Sequence, residues 1–166
     1  METFKDIIGY EGLYQISNLG TVKNTNRNSI LKPNKNNGGY KFVILYKNNK
    51  PKAFKIHRLI AIHFIDNPNN YLIVNHIDNV QTNNDISNLE WVTIRENTCH
   101  SYNLKNTSSK YPGVSWYKTV NKWRARIRIE GKETHIGYYS TEELASEAYN
   151  EYLIKYNISN RYSNKT

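Results

Sequence analysis

The sequence is poor in everything that would let a chain be stapled by disulfides, built around paired cysteines or anchored in a bilayer. Among 166 residues there is one cysteine, Cys99. A single thiol excludes an internal disulfide framework and a zinc site made of paired cysteines, and it points to a reducing compartment. Long apolar runs are missing as well. The longest, Leu-Ile-Ala-Ile-His-Phe-Ile at 59–65, falls far short of the ~20 residues that a helix needs to cross a membrane. The opening stretch, Met-Glu-Thr-Phe-Lys-Asp-Ile-Ile-Gly, lacks the apolar centre of a signal peptide. The expectation is a soluble cytoplasmic protein with no membrane partner. Acidic residues are scarce too, 14 against 23 Lys and Arg, for a formal charge of +9. Such a surplus suits a polyanionic partner, nucleic acid or an acidic membrane surface, and the absence of an amphipathic basic helix favours nucleic acid. With 38% apolar residues, small modules with modest cores are expected rather than one thick globule.

What is present falls into three segments. In the first, 1–50, Tyr40, Phe42, Ile44 and Tyr46 alternate with Lys41, Val43 and Leu45, which is strand periodicity. Tyr-Gln-Ile-Ser and Thr-Val-Lys-Asn add shorter strands, and turns are marked by Ser-Asn-Leu-Gly and Asn-Lys-Asn-Asn-Gly-Gly. This reads as a small antiparallel β-module. In the second, 51–106, Leu59, Ile60, His63 and Phe64 share one helical face. The strands Tyr-Leu-Ile-Val-Asn-His-Ile and Asn-Leu-Glu-Trp-Val-Thr flank an asparagine-rich loop. Thr93 and Glu96 then form a capping box that opens a helix. The third, 107–158, has three strands, 113–118, 122–132 and 133–139, and a helix capped by Ser140 with Glu143 as its box partner. Leu144, Ala145, Ala148, Tyr149, Tyr152, Leu153 and Tyr156 form the predicted buried stripe of that helix. The tail 159–166 is expected to be disordered. The fold class is therefore α+β.

On the strand Trp-Arg-Ala-Arg-Ile-Arg-Ile, period two puts Arg124, Arg126 and Arg128 on one face and Trp123, Ala125, Ile127 and Ile129 on the other. Three guanidiniums side by side call for an anion opposite them, and arginine pairs in bidentate fashion with phosphate and with guanine. Scattered charges are usually just solvated, but strict alternation in a chain of this charge makes DNA the better reading.

The third segment, with Gly113-Val114, Lys-Trp-Arg-Ala-Arg-Ile, Ile-Gly-Tyr-Tyr-Ser-Thr-Glu-Glu-Leu-Ala and Ala-Tyr-Asn-Glu-Tyr, resembles the plant ethylene-response-factor (Apetala-type) DNA-binding domain. The resemblance implies a sheet that enters the major groove and DNA-facing positions at Ser115, Tyr117, Arg124, Arg126, Arg128 and His135.

The second segment carries the chemistry. A phosphodiesterase needs a base to activate water and positive charge on the scissile phosphate. One histidine and one hard divalent cation supply both, and such a cation accepts a few oxygen ligands while keeping several waters. Asn75, His76, Asn88 and Asn97 are of the right types. Taken one at a time, a lone histidine is more often a packing residue and an asparagine a turn former.

As a set, Asn-His-Ile-Asp, Asn-Asn, Asn-Leu-Glu-Trp-Val-Thr and Glu-Asn, over 54–100, resemble the HNH nucleases of the phage and intron homing type. The resemblance implies a ββα-metal finger, with His76 as general base, Asn88 as the middle structural residue, and Asn97 and Asn75 as ligands of Mg²⁺ or Mn²⁺. Many members hold a carboxylate where Asn75 stands. Asp78 is expected to support the site, and His57 and His63 to serve as core or capping residues. Cys99 and His100 are expected on a helix facing the finger or solvent.

The opening Ile-Ile-Gly-Tyr-Glu-Gly-Leu-Tyr-Gln-Ile-Ser-Asn-Leu-Gly-Thr-Val-Lys-Asn resembles the short nuclease-associated modular (NUMOD-type) domain. That implies DNA contacts from Lys23, Arg27, Lys32 and Lys35. Together the resemblances imply a site-specific double-stranded DNA endonuclease, monomer or weak dimer, that leaves 5′-phosphate and 3′-hydroxyl ends. A DNA-binding regulator with an inactive finger is the alternative, and an RNA-binding protein a more distant one.

Overall fold

The computed structural model describes residues 1–102, 108–129 and 131–159. The expected linker residues 105–107 and the tail from 160 onward lie outside them. The chain divides into two compact units, 1–92 and 93–166. It is a mixed α/β protein with several small antiparallel sheets and, among the described residues, three α-helices.

The first unit opens with a four-stranded sheet in chain order, β1 (Phe4–Asp6), β2 (Tyr14–Ser17), β3 (Val22–Asn24) and β4 (Ser29–Ile30). A three-stranded sheet follows, β5 (Asn34–Lys35), β6 (Lys41–Lys47) and β7 (Lys50–Lys55). The β6–β7 turn is made by Asn48 and Asn49, both at positive φ (51° and 60°). Two left-handed residues give a tight turn whose twist matches the strands it joins. Asparagine tolerates that region because its short amide bonds locally. Every non-glycine residue at positive φ among those described is in fact an asparagine. Much of the asparagine content is therefore turn chemistry.

Alternation on β6 buries Val43 and Leu45 and leaves Ile44 and Tyr46 exposed. β7 lies past the expected segment boundary at Lys50 yet pairs along the whole of β6, from Lys47↔Lys50 to Phe42↔Lys55. Helix α1 (Ile56–Phe64) continues straight from β7 and buries Ile56, His57, Leu59, Ile60 and Ala61. The hairpin of β8 (Ile73–His76) and β9 (Leu89–Val92) closes the unit, in register from Ile73↔Val92 to His76↔Leu89. Ile7, Ile16, Val22, Val43, Leu45, Leu59, Ile60, Val74 and Leu89 belong to one core. The N-terminal strands and the hairpin are thus seated on the same apolar mass.

The second unit begins with α2 (Ile94–Tyr102). The Thr93 N–H and hydroxyl both donate to Glu96 Oε2 (2.8 and 2.9 Å), and Glu96 N–H donates back to Thr93 Oγ1 (3.1 Å), so the capping box forms as expected. Next come β10 (Val114–Tyr117), β11 (Lys122–Ile129) and β12 (Lys132–Tyr139), an antiparallel sheet in chain order, and helix α3 (Glu142–Lys155). Val114, Ala125, Ile127, Ala145, Tyr149 and Leu153 form its core.

Three expectations shift here. The cap of α3 is Thr141, which accepts from Leu144 N (3.2 Å), and not Ser140. Two hydroxyls stood side by side, and the one adjacent to the first helical residue won. The buried stripe holds at Ala145, Tyr149 and Leu153, with Tyr152 packed against the same core, but Ser146 is inside it, and Leu144 and Tyr156 are 45% and 53% exposed. Of the two faces expected for Cys99 and His100, finger or solvent, solvent is excluded: both are buried on α2.

Candidate functional site

The polar residues of the β8–β9 hairpin are buried, which is unusual for a two-stranded element and is the first sign of a site. Asn75 retains 7% exposure, His76 4%, Asn88 8% and Glu90 8%. Their partners are specific. Asn75 faces Glu90 across the ladder, and its Nδ2 donates to Glu90 Oε1 at 2.8 Å. Pinning the amide nitrogen on a carboxylate fixes which way the amide oxygen points, because the group is planar.

His76 Nε2 lies 3.1 Å from Asn84 Oδ1. With that oxygen facing the ring, Nε2 is the donor and Nδ1 is left with the lone pair. Asn84 also lines a cleft of about 290 Å³ with Gly20, Lys41 and Ile56.

Two further rings wall the histidine. His57, from the first turn of α1, meets it edge to face at 4.9 Å, and Tyr40, at the start of β6, lies 5.9 Å from it and 5.0 Å from His57. Burial, then the neighbouring charge of His76, Lys55 and Arg58, pushes His57 down to about 3. His57 is therefore a neutral wall at ordinary pH, and its buried Nδ1 has no hydrogen-bond partner among the described residues.

The loop between the strands is held by Asn88. Its Oδ1 accepts from Asp78 N–H (3.0 Å), and its Nδ2 donates to Asp78 Oδ1 and to Asn83 O (both 2.9 Å). Asp78 also accepts from Asn83 Nδ2 and Val80 N–H, and these bonds, Asn83 first, hold its carboxyl below the usual range. Asp78 thus organises the loop that carries Asn84.

His63 has both nitrogens engaged: Nδ1 donates to Leu59 O (2.7 Å) and Nε2 accepts from Ile8 N–H (3.1 Å). It is a structural tie between α1 and the first sheet. Asn97 sits half-buried in α2 of the second unit.

Among the described residues, no three His, Cys, Asp or Glu side chains are grouped to hold a metal ion. What the asparagines offer is neutral amide oxygen. That suits a hard cation that keeps waters and shares its charge with phosphate, and does not suit a soft transition metal.

The other candidate surface is the outer face of β10–β12. Tyr117 and Tyr138 stack (5.5 Å, 24°), the Arg124 guanidinium lies 4.9 Å over Tyr117, and His135 packs 4.5 Å from Tyr138. Arg124 faces Ser115 across the ladder, and Arg124 Nε and Ser115 Oγ are buried without a hydrogen-bond partner among the described residues. Arg126 pairs with Glu133 at 2.6 Å, where both are well exposed. A bulge between Ala125 and Arg126 interrupts the strict alternation. Arg128 is exposed. In the first unit, Lys23 lies on β3, Arg27 in the β3–β4 turn and Lys32 just past β4, so the three cluster around one hairpin. Lys35 is exposed on β5.

Sequence reasoning gave no role to Glu90, Tyr40 and Tyr138, quoted Asn84 only within the Asn-Asn of the motif, and favoured a core or capping role for His57. Glu90 left a trace, being a carboxylate inside the apolar strand Leu-Glu-Trp-Val. The others meet only through tertiary contacts.

Comparison with known proteins bears on both surfaces. Residues 54–99 match the family described as HNH endonuclease, and residues 2–46 match the NUMOD4 motif. DNA endonuclease I-HmuI of Bacillus phage SP01 is 44% identical over 94 residues, 57% of this chain and 54% of that protein. A solved structure described as DNA binding and cleavage by the HNH homing endonuclease I-HmuI superimposes with a TM-score of 0.57 at 34% identity. It covers 87% of this chain and 82% of that one. The AP2-like ethylene-responsive transcription factor PLT2 of Arabidopsis thaliana is 34% identical over 98 residues, 57% of this chain but 17% of that protein. The chain spans about half or less of the length of the curated relatives it matches.

Proposed function

We propose, from the premise that this chain belongs to the HNH homing endonuclease family, that it is a site-specific endonuclease that hydrolyses a phosphodiester of double-stranded DNA. The observation that carries the reading is the buried histidine, His76, held by an asparagine on one ring nitrogen and walled by a neutral second histidine. A base kept dry and in one orientation is suited to taking a proton from water at a fixed place.

In this reading β8, β9 and α2 make up the ββα finger. His76 accepts the proton of the attacking water through Nδ1 while Nε2 stays bonded to Asn84. The leaving group is the 3′ oxygen, so the ends are 5′-phosphate and 3′-hydroxyl. Asn88 keeps the loop in shape, and Glu90 keeps the Asn75 amide turned. Asn75 and Asn97 are the residues assigned to a Mg²⁺ or Mn²⁺ ion. Such an ion supplies positive charge to the scissile phosphate and the leaving oxygen.

The arginine face of β10–β12, with Tyr117, Arg124, Arg126 and Arg128, is the duplex-reading surface of an ethylene-response-factor-like module. Lys23, Arg27 and Lys32 add phosphate contacts. One chain has one such histidine and nicks one strand. Acting as monomer or weak dimer, it makes a double-strand break only with two chains or in two events.

A second reading, a DNA-binding regulator with a silent finger, draws on the neutral amide at Asn75. The experiment that separates them is a supercoiled-plasmid assay with Mg²⁺, Mn²⁺ or chelator. Metal-dependent nicking that drops at least ~100-fold in His76→Ala, with DNA binding retained, is the expected result. Binding without cleavage under every metal condition would overturn it in favour of the regulator.

A further inference from the structure

Helix α2 has little apolar surface with which to hold itself. Ile94, the first residue of the helix, is 71% exposed. Among its contacts are polar ties within the second unit. Arg95 Nη2 donates to the Tyr149 hydroxyl on α3 (2.9 Å), and the guanidinium lies 5.7 Å over that ring. Arg95 Nη1 donates to the Ser159 carbonyl, and Ser159 Oγ donates to Glu96 Oε1 at 2.7 Å. The Cys99 thiol is buried on the same side of the helix. At roughly 100° per residue, Arg95, Glu96 and Cys99 fall within one arc of the helix, and Asn97 projects away from it.

Tyr149 is itself immovable. It keeps 4% exposure in the core with Val114, Ala125 and Ile127. A side chain at Gly113 would overlap its ring. Gly113 O accepts from Arg126 N–H at 2.9 Å, at the bulge in the arginine strand. One ring thus touches the sheet that displays the arginines, and its hydroxyl holds the helix that displays Asn97.

We propose that Tyr149 is a positioning residue whose hydroxyl, through Arg95, sets the rotation of α2 and hence the direction of Asn97, so that the arginine-faced sheet and the asparagine-bearing helix move as one body. This rests on the reading of Asn97 as a metal ligand. Burial raises the Tyr149 hydroxyl and the Cys99 thiol above their ordinary values, so both remain neutral at working pH.

The test is Tyr149→Phe in the full chain, which keeps the ring and removes only the hydroxyl. Amide exchange over 95–99 should rise about tenfold without a change in the melting transition. Nicking kcat should fall about tenfold, with a higher half-saturating Mn²⁺ concentration and DNA affinity in chelator within about twofold of wild type. Ser159→Ala, outside the core, should raise exchange at 95–99 in the same direction by a smaller factor. Unchanged exchange and kcat in both variants would overturn the proposal. So would a loss of DNA affinity as large as the loss of kcat, since the tie would then serve binding alone. Asn97→Ala is the parallel control. If it nicks like wild type, the assignment of Asn97 has failed, and the exchange measurement still judges the hold of Tyr149 on α2.

Discussion

The β8–β9 hairpin and the β10–β12 sheet handle polar side chains in opposite ways. In the hairpin, Asn75, His76, Asn88 and Glu90 are nearly sealed from water and bonded to named partners. On the sheet, Arg128 stands in solvent, Arg126 is partly exposed and paired with Glu133, and Arg124 rests on an aromatic ring with Nε unpaired among the described residues. On the proposed function, the difference separates two tasks. A group that must meet a reacting atom at one place is fixed before the substrate arrives, and the fold bears the cost of burying it. A group that must meet a long polyanion can leave its pairing to the ligand.

If that contrast is right, a cut in the hairpin should be felt in the fold and a cut in the sheet only in binding. Asn88→Ala should show the largest effect. It strips three hydrogen bonds and leaves Asp78 N–H and Asn83 O without them, at about 3 kcal/mol of stability, read from urea unfolding. A loss under about 0.5 kcal/mol would break the contrast.

Arg124→Ala should come next, with about a tenfold loss of duplex affinity and a salt dependence shallower by about one unit, while the urea midpoint stays put. A variant that unfolds more readily but binds as before would place Arg124 among the structural residues.

The smallest effect sharpens the contrast from the side of protons. His57 binds its proton far less readily when folded, with a value of about 3 against 6.5. Between those limits the unfolded chain holds more protons, so stability is full above pH 6.5 and falls as the pH drops through the window. The loss should be about 1 kcal/mol between pH 6.5 and 5.5, and His57→Gln should flatten it. An equal slope in the variant would assign the acid sensitivity elsewhere.

Local rules were legible in the sequence wherever a few neighbouring residues decide the outcome. The Thr93–Glu96 box, the period-two strands 41–47 and 122–129, and the order of the asparagines and His76 were all readable from short windows. The cap of α3 slipped by one because Ser140 and Thr141 are chemically equivalent candidates, while the stripe through Ala145, Tyr149 and Leu153 was legible from its spacing. The bulge at Ala125/Arg126 has no signature in an otherwise perfect alternation. His57 against His76, and Tyr117 against Tyr138, are 19 and 21 positions apart. They meet only after the core has formed, so no window could show them.

The β6–β7 hairpin bears on how such proteins can be recombined. Its turn at Asn48 and Asn49 falls between the stretch that matches one family and the stretch that matches the other, the place where a builder of chimeras would cut. A crossover there parts β6 from the strand that pairs with it along its whole length. It also puts Val43 and Leu45 in one parent and Ile56, Leu59 and Ile60 in the other. Motifs that look interchangeable on paper have to be exchanged here as a single cassette, with the crossover moved beyond the shared core.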